Sequence, residues 1–209
     1  MLNFIKRHWP TALAALILLT ALTGVYAKYV MEQPITGTAS ITAKLGSVQV
    51  LESKAVPNAL GEYTLNTALA VTENTYNIVI PGLDIPKDPY VVIHDKTEVP
   101  VYIFVEVVNK LSGSELTFAI DDDYWLELTG FQGANGGTVY VYTTNKTSAA
   151  AAVADPGRIN ILKGRQVTVG QELLHGLTEN LALSFYATIT DTSAADAATA
   201  YKTVYNITS

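Results

Sequence analysis

"VYIFVEVV", residues 101–108, is apolar on both alternating faces apart from Glu106. A strand with one wet face alternates between apolar and polar residues, whereas one that is apolar on both faces is covered on both sides. The stretch therefore predicts a central strand, and the rest of the chain has to supply the layers that cover it. Upstream, "PGLDIPKDP" (81–89) interrupts regular structure with three prolines and a glycine, and a strand resumes at Tyr90–His94. Downstream, "YWLELT" (124–129) and "TVYVYTT" (138–144) are β-rich runs on either side of "GFQGANGG", which predicts a hairpin with a glycine-rich loop.

The remaining elements are shorter. Strands are expected at Ser47–Leu51, Tyr63–Leu65 and Tyr76–Ile80, with Glu52–Asn74 otherwise mixed and "VPNALGEY" (56–63) read as loop. "RINILKGRQVTVGQEL" (158–173) carries two short strands around Gly164, and "LALSFYATIT" (181–190) is a long one. "TSAAAAVADPGR" (147–158) reads as a short helix or an exposed insert. In "SAADAATAYKTVY" (193–205), Ala194, Ala197, Ala198, Tyr201 and Val204 recur at helical spacing, and Ser193 with Asp196 resembles a capping box. One C-terminal helix is expected from Ala194 to Tyr205. Many short strands with turn signals and little helix predict an all-β sandwich with a short C-terminal helix and minor helical inserts. Tyr140 and Tyr142 alternate along their strand, as sandwich core or as a subunit or ligand contact.

The N-terminus has its own pattern. Lys6, Arg7 and His8 precede "TALAALILLTALTGVYA" (11–27), which holds no charge. A basic head, an apolar middle and small residues at the end describe a secretory signal peptide over residues 1–27, cut between Ala27 and Lys28. The alternative is an uncleaved anchor, for which the run is slightly short. From Ile35 to Leu45 the residues alternate without a break, with Ile35, Gly37, Ala39, Ile41, Ala43 and Leu45 on one face. That is a half-buried strand signal. Residues 28–45 form an N-terminal strand segment ahead of the domain at 46–209.

Composition narrows the function. The leader holds two of the 13 Lys and Arg and none of the 19 Asp and Glu, so the chain after Ala27 carries 11 against 19, a formal −8. An acidic chain without a basic cluster argues against nucleic acid as a partner. There is no cysteine, hence no disulfide framework and no thiolate metal site. His94 and His175 are far apart, with no His-Glu-x-x-His. Gly-x-Ser-x-Gly is absent, and the glycines of 130–137 lack the Lys-Ser/Thr of a phosphate loop. Asp121, Asp122 and Asp123 are the densest acidic run. They are candidates for a Ca²⁺ contact, with a solvated turn as the plainer reading. Asn145 and Asn206 sit in Asn-x-Thr triplets, which matter only in a glycosylating host. No catalytic residues, cofactor or metal are expected.

The leader ending in "LTGVYAKYV" is similar to those of the TasA and camelysin (CalY) proteins, secreted biofilm-matrix fibre proteins of Gram-positive bacteria. "ITGTASITAKLGSVQV" resembles their first strands, and "NIVIPGLDIPKDPYVVIHDKTEVPVYIFVEV" (77–107) resembles their Pro-Gly turn and central strand. "YWLEL" with "VYVYTT", then "LALSFYATIT" followed by the alanine-rich end, fall in the same order. The resemblance implies a jelly-roll sandwich, processing by a dedicated signal peptidase, export to the cell surface or matrix, and matrix accessory proteins as possible partners. Contact with a membrane would come only through the uncleaved leader. The resemblance also implies polymerisation by donor-strand complementation, with Tyr29, Met31, Ile35 and Gly37 on the donor strand. Open sheet edges and strand addition are a physical route to such a filament. Camelysin has been classed as a metal-dependent protease, so a metalloprotease is the alternative activity. A monomeric adhesin or minor matrix protein is the third reading.

Overall fold

The structure is a computed structural model that describes residues 27–28, 46–77, 79–94, 97, 99–111, 115–150, 157–171 and 182–208. In chain order its strands are β1 (Ala27–Lys28), β2 (Ser47–Pro57), β3 (Tyr63–Val71), β4 (Thr75–Tyr76), β5 (Ile85–Pro86), β6 (Tyr90–His94) and β7 (Val101–Asn109). There follow β8 (Leu116–Thr117), β9 (Trp125–Leu128), β10 (Thr138–Tyr142), β11 (Ile159–Asn160), a 3₁₀ turn at Lys163–Arg165, β12 (Gln166–Val169), β13 (Leu183–Asp191) and the helix α1 (Ala197–Tyr205). Every strand pairing is antiparallel. One four-stranded sheet has the order β13-β7-β10-β9 and the other β11-β6-β2-β3; β5-β12-β8 form a third, and β1 pairs with β4. The chain is an all-β sandwich with a short C-terminal helix.

The central strand is β7, and both of its faces are buried. Val101, Ile103, Val105 and Val107 point into the main core against Val50, Val91, Ile93, Ile159 and Phe185. Phe104 points the other way, into a second cluster with Val139, Val141, Ala197, Ala200 and Tyr201. The covering layer on that side is α1, so the run of residues 101–108 is apolar on both faces because it lies between a sheet and a helix. Aromatic rings hold the helix down: Tyr201 lies 5.3 Å from Phe104 and 5.8 Å from Phe131, and Tyr205, one turn on along the helix, lies 4.8 Å from it, centroid to centroid. Such pairs add about 0.5–1.5 kcal/mol each beyond their buried area.

Glu106 is the polar exception on the helix face, and it is 1% exposed. Its Oε1 accepts from the backbone N–H of Asn135 and of Gly137, each at 2.8 Å. Its Oε2 accepts from Asn135 Nδ2 and from the Tyr201 hydroxyl, each at 2.9 Å. The glycines of the β9–β10 loop make this possible. A Cβ on Gly133 would overlap the Glu106 carboxylate, and one on Gly137 would lie 2.5 Å from the Val107 carbonyl oxygen. Burial, reinforced by the Glu106 charge, pushes the Tyr201 phenol well above its ordinary value, so it stays a donor.

Three expectations need correction. β2 and β3 run as one long hairpin through most of residues 52–71, where a mixed stretch with loop at 56–63 and a short strand at Tyr63–Leu65 was expected, and turn at Asn58–Glu62 with the Asn58 Oδ1 accepting from Leu60 and Glu62 N–H. The helix begins at Ala197 rather than Ala194. Asp196 is its N-cap, accepting from Thr199 N at 2.7 Å, while the Ser193 N–H goes to Asp191 Oδ1, so no capping box forms. The strand expected at Tyr76–Ile80 is reduced to β4. The described part of the alanine-rich insert is not helical: Ala149 bridges to Thr143 beside the end of β10. The leader through Tyr26 and the alternating residues 35–45 lie outside the described residues. Among the described residues no helix is long and apolar enough to cross a membrane.

Removing the Glu106 carboxylate strands several buried donors at once. Glu106→Ala is expected to lose about 3–5 kcal/mol in urea denaturation, and Tyr201→Phe about 1.5–3 kcal/mol, because its hydroxyl donates to the Glu106 carboxylate and accepts from Ala134 N–H. A loss below about 1 kcal/mol for Glu106→Ala would contradict this role.

Candidate strand-acceptor site

A buried network of charges fixes one end of the second sheet. Lys87 Nζ lies 2.8 Å from Glu52 Oε2, and both side chains are fully buried. Lys87 also sits over the rings of Tyr76 and Phe185, at 5.7 and 6.0 Å. Burial pushes the Lys87 ammonium below its ordinary value, and the Glu52 charge recovers part of that shift. Glu52 Oε1 accepts from Asn74 N at 2.7 Å; the Asn74 side chain accepts from Ala55 N and donates to the Ser53 carbonyl. Next to this pair, Asp88 accepts from Ser53 N and Oγ, from Arg158 Nη2 at 2.5 Å and from Arg165 Nη2 at 2.6 Å. Desolvation alone would raise the Asp88 carboxyl, but the hydrogen bonds from Arg165, Ser53 and Arg158 outweigh it and hold it below the usual carboxylate range. These contacts tie β2 to β4, to the segment between β5 and β6, to the residue preceding β11 and to the 3₁₀ turn. Arg165 takes a left-handed backbone (φ 58°), a conformation costly for a side-chain-bearing residue, and its guanidinium is held by Asp88 there.

The same contacts shape a groove of about 520 Å³ between β3 and the β5–β12 pair with the 3₁₀ turn that leads into it. Tyr63, Thr64, Leu65 and Thr67 line one side, and Asp84, Pro86, Gly164, Arg165 and Gln166 the other. Among the described residues β3 is hydrogen-bonded as a strand to β2 alone, and β5 to β12 alone. β3, "YTLNTALAV", contains no charged residue and no proline, and its Leu69 is 54% exposed. Proteins usually blunt an edge strand with lysine, proline or an inward charge. The one such device in β3 is a bulge, where the partner register jumps from Ser53↔Ala70 to Lys54↔Asn66. A second cleft, of about 550 Å³, opens beside Phe118, Ile120, Glu127 and Tyr140. Tyr140 and Tyr142 pack against the main core, and Tyr142 meets Trp125 edge to face.

The sequence-predicted site residues are placed as follows. Ala27 and Lys28 form β1, with Ala27 opposite Tyr76 and Lys28 opposite Thr75. Tyr29, Met31, Ile35 and Gly37 lie outside the described residues, as does His175. His94 is exposed at the end of β6, hydrogen-bonded to Gln49. Asp121, Asp122 and Asp123 bring carboxylate oxygens within 4.8 Å of one another, the one such group among the described residues. Lysines serve two of them: Lys163 reaches Asp122 at 2.5 Å, and Lys146 pairs with Asp122 and Asp123. The hydrogen bond from Lys163 and the charge of Lys146 hold the Asp122 carboxyl below its ordinary value. Asp121 instead shapes the turn, its side chain accepting from Asp123 N. Sequence reasoning missed Glu52, Lys87, Asp88, Arg158 and Arg165, whose partners lie tens of residues away. No family model, curated protein or solved structure matches the chain.

The depressed Asp88 carboxyl ties stability to pH. Its contribution is fully present above the unfolded-state value, about 3.9, and is lost as pH falls through the lower folded value. Asp88→Asn should cost about 2 kcal/mol near neutrality, less than a wholly buried pair because both arginines reach solvent. It should also flatten the acid limb of the stability profile. Parallel profiles for the two proteins below about pH 4 would contradict the assignment.

Proposed function

We propose that the chain is a secreted structural subunit that joins copies of itself head to tail into extracellular biofilm-matrix fibres, by adding an N-terminal strand to the next subunit. The observation that carries this reading is β3: an uncharged, proline-free sheet edge beside an open groove. Strand addition gives main-chain hydrogen bonds for affinity and alternate side chains for specificity. A head-to-tail contact that does not close on itself makes a filament. The resemblance to TasA and camelysin proteins points the same way, with residues 28–38, carrying Tyr29, Met31, Ile35 and Gly37, as the strand that is added.

Processing fits into this scheme. The expected cut falls between Ala27 and Lys28, the two residues of β1, so it would sever the strand that pairs with β4. Cleavage there would free a new chain end at Lys28, which the attached leader otherwise occupies. Export and cleavage would then gate assembly, with a dedicated signal peptidase as the processing partner.

Deleting Lys28–Thr38 from the processed chain is expected to leave a folded monomer, with sedimentation showing one slow species at concentrations where the intact processed chain polymerises. Filaments of normal yield from the deleted chain would overturn the reading.

A further inference from the structure

We propose that Lys87 and Glu52 join through their side chains, so that the protein carries an internal amide between Lys87 Nζ and Glu52 Cδ. The inference stands apart from the fibre reading, since it concerns a cross-link within one chain. The two groups are in contact at 2.8 Å, and neither side chain reaches solvent. They belong to separate elements, Glu52 on β2 and Lys87 immediately after β5. The rings of Tyr76 and Phe185 flank the Lys87 nitrogen, and both residues are fully buried. Burial works against the ammonium and outweighs the Glu52, Asp88 and Glu73 charges that favour it. A desolvated lysine in an apolar pocket is a nucleophilic amine rather than an inert cation.

The surroundings of Glu52 suit acyl transfer. Lys87 contacts Oε2, while Oε1 accepts from the Asn74 N–H at 2.7 Å. One ammonium proton passes to Oε2, leaving a neutral amine beside a neutral carboxyl. The Nζ lone pair forms a bond to Cδ, and negative charge gathers on Oε1, where the Asn74 N–H stabilises it. The Cδ–Oε2 bond breaks, and Oε2 departs as water with a second proton from Nζ. The products are one amide and one water; nothing is oxidised or reduced. A pocket closed to bulk water keeps the reverse hydrolysis from competing. The Asn74 carboxamide, a second acyl group in this hub, is instead held by β2, accepting from Ala55 N–H and donating to the Ser53 carbonyl. The amide ties β2 to the segment between β5 and β6 in a chain that has no cysteine for a disulfide.

Mass spectrometry of the purified, folded protein, denatured just before measurement, tests this directly. The chain is expected to weigh one water less than its sequence requires. Trypsin is expected to leave residues 45–54 joined to residues 55–96, uncut after Lys87, with tandem spectra placing the branch at Glu52 and Lys87. Lys87→Arg keeps a cation beside Glu52 and cannot form this amide, so it is expected to restore the full mass and to release the peptides separately. The wild-type mass is decisive whether or not that variant folds. Full mass with cleavage after Lys87, unchanged on prolonged incubation at neutral pH, would overturn the inference and leave an ion pair only. Loss of one ammonia with Lys87 joined to Asn74, or a loss of water that persists in Lys87→Arg, would also overturn it. None of these results bears on filament formation, so the fibre reading stands or falls separately.

Discussion

A single carboxylate in the middle of the central strand governs how this chain is layered. Glu106 cannot face lipid-like core without donors, because an uncompensated buried charge costs several kcal/mol. The donors come from two places distant in sequence, the 134–137 loop and the hydroxyl of Tyr201. Satisfying the charge therefore docks the β9–β10 hairpin loop and α1 against β7 at once. The apolar contacts of Phe104, Val139 and Val141 then close the helix layer, and the opposite face of β7 is free to pack on the second sheet.

The second sheet is organised by a comparable device. The Glu52–Lys87 pair and the Asp88 hub with its two arginines place charged groups where an apolar core would be as stable or more so. What they provide here is position. Glu52 and Ser53 on β2 are pinned to residues 74, 87 and 88, and Asp88 in turn holds Arg158 and Arg165, so β3 is presented at a fixed distance from the β5–β12 pair. The groove is a consequence of that spacing, and the Asp88 hub supplies a rigid wall for it.

These two hubs also mark where sequence reasoning succeeds and where it stops. β6 was legible to the residue, and β7, the β9–β10 hairpin, the two strands around Gly164 and the body of β13 were legible in place though not to their ends, because apolar periodicity and turn residues are local signals. The β2–β3 hairpin was not. Glu52 and Ser53 occupy inward positions, which breaks the alternation that would have extended β2 to Pro57. The helix start moved because Asp196 has an extended backbone and its carboxylate accepts from Thr199 N–H, while Ser193 is turned to Asp191. The acidic run was visible at once, yet its carboxylates face lysines 23 to 41 residues away rather than declaring a site. The groove beside β3 left no sequence signal, since it exists only between elements brought together by folding.

The proposed assembly needs both a stable sandwich and an edge left open beside it, and β3 combines the two. The most direct measurement is electron microscopy of purified Lys28–Ser209 at rising concentration, without denaturant. Regular unbranched filaments are the predicted result. Monodisperse particles that persist at every concentration would contradict the account.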